Sequence, residues 1–194
     1  RNRRRIEGVL SALDAAGSPI DRSALESAFR RVRDDMDHVH HNGVDRTFPL
    51  WVRQIVEYAE PGRFDSLDPT DSEALIRAVD DPFLAHPPEP HPAAREVLDQ
   101  LSGRNVRIAL ISNTGFTSGD TYRRWFNWIG WLGYFDAITF SNEVGMAKPT
   151  DAIFLSTLQE VGAAPEDSIH VGDSHHSDVQ GARAVGMSTV SMMS

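Results

Sequence analysis

Cysteine is absent from the 194-residue sequence, lysine occurs once, and apolar runs are short. Without thiols the chain can form neither a disulfide framework nor a cysteine-ligated zinc site. No run approaches the roughly 20 apolar residues that cross a bilayer, and no secretory signal opens the chain. These absences favour a cytoplasmic protein that does not interact with membranes.

The charge of the chain is strongly acidic. Its 19 basic residues are outnumbered by 28 acidic ones, and the net charge is −9. Because nucleic-acid binding depends on neutralising phosphates with basic side chains, this balance argues against a general nucleic-acid binder. The basic start, Arg1 to Arg5, is too short to reverse that judgement and is interpreted as the exposed first turn of a helix.

Lys148 is the single lysine, whereas the other 18 basic residues are arginine. A lysine ammonium is a compact point charge, unlike the planar fork of an arginine guanidinium. Lys148 lies in Gly145-Met146-Ala147-Lys148-Pro149, a turn rather than an amphipathic helix face. It is therefore a candidate for a specific charge-stabilising role.

Residues 1–86 are predicted to form a bundle of four helices. Apolar residues recur at helical spacing in four segments, of which the third runs over about 48–59. Capping-box patterns, Ser23 to Glu26 and Thr70 to Glu73, are predicted to start the second and fourth helices. The proline-rich stretch 86–92 then predicts a domain boundary.

Residues 87–194 alternate between helices and strands. Strands are predicted over 106–111, 137–140, 168–171 and 188–192, preceded by helices over 93–101, 120–131, 152–161 and 179–185. Alternation of this length is typical of parallel strands joined by right-handed crossovers. The predicted fold class is α/β, with a parallel sheet core that follows an N-terminal helical bundle.

Polar turns follow the first three predicted strands. Ser112-Asn113-Thr114-Gly115 follows the first, the segment up to Lys148 the second, and Gly172-Asp173 to Asp178 the third. The carboxyl ends of parallel strands lie at one edge of a sheet, so these turns are expected to converge.

Such a convergence suits a phosphoryl group. A hydroxyl and backbone N–H groups can hold its oxygens, a lysine can neutralise it, and carboxylates can hold Mg²⁺ beside it. For Asp173 and Asp178 the plain alternative is a solvated loop in which Asp178 caps a helix.

The three turns together resemble the motifs of the haloacid dehalogenase-like hydrolases. Ile108 to Asn113 is similar to the family's second motif, whose hydroxyl binds the phosphoryl group. Lys148-Pro149 is similar to the third motif, and Val171 to Asp178 to the fourth, which holds magnesium. The resemblance implies a Rossmann-like core over residues 87–194 and a helical cap of the four-helix type over residues 1–86.

The resemblance also assigns roles to residues and names ligands. It implies catalytic roles for Lys148, Ser112, Asp173 and Asp178, with Mg²⁺ held by Asp173 and Asp178. The substrate is expected to be a small phosphorylated molecule, in contact with Ser112, Asn113, Thr114, Gly115 and Lys148.

The family's first motif, an Asp-x-Asp sequence on the central strand, has no counterpart in these 194 residues. The segment from Asp65 to Asp68 has the wrong spacing, follows no apolar strand and lies between two cap helices. The nucleophilic aspartate is therefore expected upstream of Arg1, in a longer hydrolase whose C-terminal end also extends further. As printed, the chain is not expected to form the covalent aspartyl-phosphate.

The resemblance favours Mg²⁺-dependent hydrolysis of the phosphate ester of a small metabolite. Dehalogenases of the family use no metal and generally lack the carboxylate at the position of Asp173, which is present here. Two alternatives remain open: a non-catalytic binding or scaffold protein derived from the family, and a metal-free 2-haloacid dehalogenase.

Three further groups of residues are interpreted as structural. The histidines 38, 40 and 41 are interpreted as a polar cap surface near the site entrance rather than a metal site. His175 and His176 are interpreted as plain loop residues, with contact to substrate as the alternative. Tryptophans at 125, 128 and 131 repeat every three residues on a predicted helix. They are interpreted as core against the sheet, with contact between the copies of a homodimer as the alternative.

Overall fold

The computed structural model describes residues 2–192 of the chain. Its first half is helical. The helices are α1 (Asn2–Ala15), α2 (Arg22–His41), α3 (Phe48–Ala59), α4 (Pro69–Asp80) and the short α5 (Pro82–Ala85). A 3-10 turn, Phe64–Ser66, lies between α3 and α4.

Aspartates, not capping boxes, start α2 and α4. Asp21 accepts a hydrogen bond from Ala24 N, and Asp68 accepts one from Asp71 N. An aspartate caps as well as a serine or threonine, and its charge also interacts favourably with the helix dipole. The capping boxes predicted at Ser23 and Thr70 are therefore wrong.

The four long helices form the predicted bundle around one apolar core. Helix α1 packs on α4, and α2 packs on α3. The core consists of residues that are almost fully buried, among them Val9, Leu13, Leu25, Phe29, Val32, Met36, Trp51, Ile55, Leu75 and Val79. We call these helices, residues 2–80, the cap.

The second half alternates between helices and strands as predicted. Its elements are α6 (Ala94–Ser102), β1 (Ala109–Ser112), α7 (Gly119–Trp128), β2 (Ala137–Phe140), α8 (Ser141–Val144), α9 (Asp151–Val161), β3 (Ile169–Gly172), α10 (Gly181–Ala184) and β4 (Ser188–Ser191). A π-helical turn, His175–Gln180, takes the place of the first part of the predicted helix 179–185. We call residues 94–192 the core domain.

The strands pair in parallel, but they form two sheets. Strand β1 pairs with β2, and β3 pairs with β4. Within residues 2–192 no ladder joins β1 to β3. Helix α9 packs against both β1 and β2, and it also contacts α10, which follows β3. Packing of α9 on both halves therefore connects the two sheets within residues 2–192, where no ladder of backbone hydrogen bonds does so.

The three tryptophans of the predicted stripe differ in burial. Helix α7 ends at Trp128, three residues before the predicted end, because Gly130 adopts a left-handed φ of 72°. Trp125 and Trp131 are buried, whereas Trp128 is 69% exposed. The interpretation of the stripe as core is confirmed for two tryptophans and wrong for Trp128.

No helix in the described part of the chain is long and apolar enough to span a membrane. The predicted boundary between residues 86 and 87 stays a prediction. Phe83, which precedes it, already packs in the core domain, with its ring centroid 5.5 Å from that of Trp125.

Candidate functional site

The ammonium of Lys148 joins the two sheets at the carboxyl ends of their strands. Lys148 Nζ lies 2.9 Å from the carbonyl oxygen of Ile111, at the end of β1. It lies 2.7 Å from Asp178 Oδ1, in the turn that follows β3. The Lys148 side chain is 12% exposed and that of Asp178 5%. The sequence prediction that these turns converge is therefore confirmed for Lys148 and Asp178.

Asp178 is held as a carboxylate by three donors. Its Oδ1 is 3.0 Å from His170 Nε2 as well as 2.7 Å from Lys148 Nζ, and its Oδ2 accepts from Ser174 N at 3.0 Å. Burial alone would raise the pKa of Asp178, but the hydrogen bonds of His170 and Lys148 and the lysine charge hold it well below its usual range.

Gly172 makes room for this carboxylate. A Cβ built on Gly172 would lie 2.3 Å from Asp178 Cγ, closer than two carbon atoms can approach. The Asp178 side chain therefore fills the space that a side chain at position 172 would need, which excludes a residue larger than glycine. The plain interpretation of Asp178 as a helix N-cap is wrong, because Ser174 caps the π-helical turn by accepting from Ser177 N.

The turn after β1 is tied to the segment that carries Lys148. Asn113 Oδ1 accepts from Lys148 N at 2.8 Å, and Asn113 Nδ2 donates to the carbonyl oxygen of Lys148 at 2.9 Å. Thr114 is 1% exposed, and its backbone N–H donates to Ser141 Oγ. The Asn113 side chain and Thr114 therefore support the site, and within residues 2–192 one of the two N–H groups of the Asn113 amide has no protein acceptor.

Among the described residues, the groups at this edge that are left available for a ligand include the Ser112 hydroxyl, the Gly115 N–H, the Asp173 carboxylate, one N–H of the Asn113 amide and one N–H of Lys148. Ser112 Oγ has a weak contact, 3.5 Å to the carbonyl oxygen of Asn113. Within residues 2–192 neither the Gly115 N–H nor the Asp173 carboxylate has a protein partner. Lys148 has three N–H donors, of which two are engaged. Donors and a carboxylate thus remain for a ligand at this edge.

Two supporting residues, His170 and Ser141, were not predicted from the sequence. His170 is a polar residue in an otherwise apolar strand, two positions before Gly172. That position was a usable signal, because a buried imidazole requires a hydrogen-bond partner. Ser141 begins α8 and is buried by Thr114, and no sequence pattern distinguishes it from an ordinary helix start.

The residues at this edge fit a hard divalent cation in part. Mg²⁺ keeps several waters and is commonly bound through one or two carboxylates together with substrate phosphates. Asp173 offers an unpaired carboxylate, and Asp178 is ionised. Among the described residues no group of three or more histidine, cysteine, aspartate or glutamate side chains could hold a metal. A cation here would thus need ligands besides these two aspartates.

One of the cap histidines, His41, lies against the turn of the core domain that carries Asp178. The rings of His41 and His176 are stacked, with centroids 4.3 Å apart. His40 Nε2 is 2.9 Å from Asp45 Oδ2, and His38 and His175 are exposed. The interpretation as a polar cap surface near the site holds for His41, whose partner His176 thereby has a contact that the sequence did not indicate.

A cleft lies between the cap and the turn after β1. Its volume is about 220 Å³, and it is lined by Arg33, Met36, Asp37, His40, Asn113, Thr114, Gly115 and Phe116. Phe116 also enters the apolar core of the cap, with its ring centroid 5.3 Å from that of Phe29. The cleft places two charged cap side chains, Arg33 and Asp37, opposite Gly115.

The sequence and the fold are similar to those of known proteins. The family model of haloacid dehalogenase-like hydrolases matches residues 22–192. Glyceraldehyde 3-phosphate phosphatase of Methanothermobacter thermautotrophicus is 35% identical over 103 residues, which cover 52% of this chain and 43% of that protein. Human haloacid dehalogenase-like hydrolase domain-containing protein 3 is 30% identical over 194 residues, which cover 93% of this chain and 72% of that protein.

Among solved structures, the HAD phosphatase of Thermococcus onnurineus has the same fold. It superposes with a TM-score of 0.62 at 22% sequence identity, covering 97% of this chain and 76% of that one. The superposition extends over both the cap and the core domain.

Proposed function

Because the chain belongs to the haloacid dehalogenase-like hydrolases, we propose that it is part of a phosphatase that acts on a small phosphorylated metabolite. The names of curated relatives support phosphate ester hydrolysis over dehalogenation: the Methanothermobacter thermautotrophicus relative is a glyceraldehyde 3-phosphate phosphatase, and a Thermus thermophilus relative is a phosphoserine phosphatase. The chain spans 43% of the first of these relatives and 72% of the human one, so the activity of the whole protein is part of the proposal.

The position of Lys148 is the observation on which the proposal depends. The lysine ammonium lies where the ends of β1 and β3 approach each other, and one of its N–H groups is free. It contacts the carbonyl of Ile111, which directly precedes Ser112 and the turn that contains Gly115. In phosphoryl transfer, positioning and charge stabilisation provide most of the catalysis. Lys148, Ser112 and Gly115 would bind the phosphoryl oxygens.

The separation between the two sheets supports a nucleophile from outside the described residues. Inner strands of α/β sheets are normally buried on both faces, yet Ile169 and Val171 of β3 are 65% and 54% exposed. A strand preceding Arg1 would pair between β1 and β3 and complete one parallel sheet. Its carboxyl end would lie beside Lys148, where an Asp-x-Asp motif could attack phosphorus.

Magnesium is the proposed cofactor, held by Asp173, Asp178 and a carboxylate of the added strand. When bound, it would neutralise charge on the phosphoryl group. Two side chains would have further roles. Lys148 would stabilise negative charge on the phosphoryl group, and His170 would keep Asp178 in place through its hydrogen bond. The proposed location stays the cytoplasm, on the ground that the sequence has no cysteine.

The cleft beside the cap would receive the remainder of the substrate. Arg33 and Asp37 are exposed on α2 and line this cleft. A leaving group would be complementary to this cleft if it carried a negative group for Arg33 and a positive group or a hydroxyl for Asp37.

The test uses the protein extended upstream to include the preceding strand. Phosphate release from p-nitrophenyl phosphate is measured with Mg²⁺ and with EDTA, for the unmodified protein and for Lys148→Met. We expect turnover that requires Mg²⁺ and falls about 10²–10³-fold in Lys148→Met, the range for loss of one preorganised group. The exposed Arg104→Met is the matched control and should leave the rate unchanged.

Four outcomes would contradict the proposal. Absence of an Asp-x-Asp strand upstream, or phosphate binding without turnover, would favour a non-catalytic binding protein. Halide release from 2-haloacids in EDTA would favour a dehalogenase. Near-normal activity of Lys148→Met would show that the lysine has another role.

A further inference from the structure

The loop between α2 and α3 crosses from the cap to the core domain. We call residues Gly43, Val44 and Asp45 the cap loop. Helix α2 ends at His41, and Gly43 then adopts a left-handed φ of 74°, which turns the chain towards the segment before Lys148. Val44 N donates to the carbonyl oxygen of Val39, so the loop is folded back on the end of α2.

The cap loop pairs with the backbone that leads into Lys148. Asp45 N donates to the carbonyl oxygen of Gly145 at 3.1 Å, and Ala147 N donates to the carbonyl oxygen of Gly43 at 3.0 Å. Val44 and Met146 lie opposite each other in this short antiparallel bridge. Ala147 is fully buried. A piece of the cap is thus hydrogen-bonded to the residue immediately before the lysine.

The side of the loop that faces the cap is rigidly held. Asp45 is 5% exposed, and its Oδ1 accepts from Trp51 Nε1 at 2.7 Å and from Arg46 N at 2.6 Å. Its Oδ2 is 2.9 Å from His40 Nε2, close enough for an ion pair although not aligned for a hydrogen bond. Movement of α2 and α3 therefore moves the loop with them.

The loop also fits closely against the residue two positions after Lys148. A Cβ built on Gly43 would lie 2.8 Å from Thr150 Cβ and 3.3 Å from Thr150 N. Residues 145–150 are thus enclosed between the cap loop and Asn113, which hydrogen-bonds both the N–H and the carbonyl of Lys148. Loss of either side would free the segment to move.

We propose that the cap loop is a positioning element for Lys148, so that the lysine is held in its catalytic place only while the cap lies against the core domain. The consequence for catalysis rests on the proposed phosphatase function. The ammonium would be ordered after the cap closes over a substrate and less ordered when the cap opens. The cap would then control the chemistry as well as access to the site.

The single lysine makes the proposal testable in this chain without turnover. Reductive methylation with ¹³C-formaldehyde labels Lys148 and the terminal amine, which differ in chemical shift, and the rate at Lys148 reports how firmly the ammonium is held. Hydrogen exchange of the Asp45 and Ala147 amides reports the bridge itself. Both rates are compared in the unmodified chain, Gly43→Ala and Gly62→Ala.

Gly62→Ala is a matched control, because Gly62 also has a left-handed φ, 79°, but nothing lies within 4 Å of an added Cβ. We expect Gly43→Ala to raise methylation of Lys148 and exchange at Asp45 and Ala147 about tenfold, as a bridge weakened by about 1.4 kcal/mol would. Gly62→Ala should change neither. Replacing Thr150 by glycine in the Gly43→Ala chain removes the 2.8 Å contact with Thr150 Cβ and should bring both rates part of the way back, since the contact with the residue 150 backbone nitrogen stays.

Faster amide exchange in folded Gly43→Ala with unchanged methylation of Lys148 would overturn the proposal. If Gly43→Ala does not fold, both rates are followed in the unmodified chain at rising sub-denaturing urea. If the bridge amides and the Lys148 ammonium become accessible with the same free energy of opening, the proposal is supported; if their free energies of opening differ, it is overturned.

In the extended protein, Gly43→Ala should lower kcat for p-nitrophenyl phosphate more than it changes KM. Because labelling needs no turnover, failure of the phosphatase proposal alone would leave the labelling result intact.

Discussion

At the scale of single residues, Asp178 has the most strongly perturbed environment in the site. Its carboxylate is almost buried and contacts Lys148 Nζ, His170 Nε2 and Ser174 N. Burial opposes ionisation, and the hydrogen bonds with His170 and Lys148 overcome that effect and lower the pKa. A group whose pKa is lower in the folded than in the unfolded state stabilises the fold above its unfolded pKa, about 3.9 for aspartate.

The first prediction concerns the pH dependence of stability. Asp178→Asn should lower the free energy of unfolding by about 3 kcal/mol near neutral pH, because it leaves the buried Lys148 without its counter-charge. The difference from the unmodified chain should stay constant above about pH 5 and shrink as the pH falls below about 4, because Asp178 becomes protonated there in the unfolded chain while it is still ionised in the folded one. Urea unfolding of both chains at a series of pH values measures the difference in unfolding free energy. A difference that persists unchanged in acid would contradict the lowered pKa.

Gly172 gives a second prediction at this scale. Gly172→Ala forces Asp178 away, since the added Cβ would lie 2.3 Å from Asp178 Cγ. We expect a loss of about 1–3 kcal/mol of stability, the usual cost of overpacking, and faster methylation of Lys148. Gly133→Ala is the control, because nothing lies within 4 Å of that Cβ. Equal melting temperatures of the two variants would contradict the close packing.

At the scale of elements, the cap is fastened to the core domain near its connection by side chains. Asp80, the last residue of α4, accepts from Ser118 N, Ser118 Oγ and Thr121 Oγ1 at the start of α7. Arg5 of α1 donates to Thr117 Oγ1 and to the carbonyl oxygen of Val79. These contacts are far along the chain from the cap loop. The cap thus has two separate attachments, one beside its connection and one beside Lys148.

The third prediction tests the attachment at Asp80. Asp80→Ala removes three acceptor contacts and should cost about 2–4 kcal/mol of unfolding free energy, because hydrogen bonds to charged groups contribute about 1.5–3 kcal/mol each and water replaces part of them. Asp81→Ala is the control, since no side-chain hydrogen bond of Asp81 caps the neighbouring helix α5. Thermal melting of both variants measures the effect. Equal loss in both would show that Asp80 is not an attachment.

The elements themselves were largely predictable, and their ends were not. The strand over 137–140 and the helix over 48–59 match the predictions closely, because apolar spacing reports which face is buried. The predicted start of the strand at 106 was wrong, since β1 begins at Ala109. Ends depend on particular caps and turns, such as Asp21 and Gly130, which compete with other plausible residues nearby.

At the scale of the whole molecule, the described chain leaves apolar strand surface uncovered. Strands β1 and β3 each pair on one side within residues 2–192, and Ile169 and Val171 are exposed on β3. Unpaired edges with exposed apolar residues favour pairing with other chains. The homodimer contact considered for the tryptophan stripe stays a prediction, with Trp128 as its exposed member.

The fourth prediction is that this chain self-associates and that the upstream strand suppresses the association. Sedimentation velocity over a range of concentrations should show oligomers of the 194-residue chain and a smaller tendency in the extended protein. Val171→Lys should reduce association by placing a charge on the open strand. Leu155→Lys, at a residue 45% exposed on α9, is the control. A monomer at all concentrations, or an equal effect of both substitutions, would contradict the prediction.

The sequence by itself determined the fold class, the helical first half and three turns of suitable chemistry, because hydrophobic spacing and residue type are local properties. It also singled out Lys148 as the one ammonium. Tertiary structure decided which groups are free. The Asn113 amide is hydrogen-bonded to the Lys148 backbone and the Thr114 N–H to Ser141, whereas contact of these two residues with substrate stays a prediction. Those hydrogen bonds join residues about 30 positions apart, and the spacing of neighbouring residues in the sequence does not indicate such pairings. The same holds for the cap loop, whose contact with the Lys148 segment spans about 100 residues.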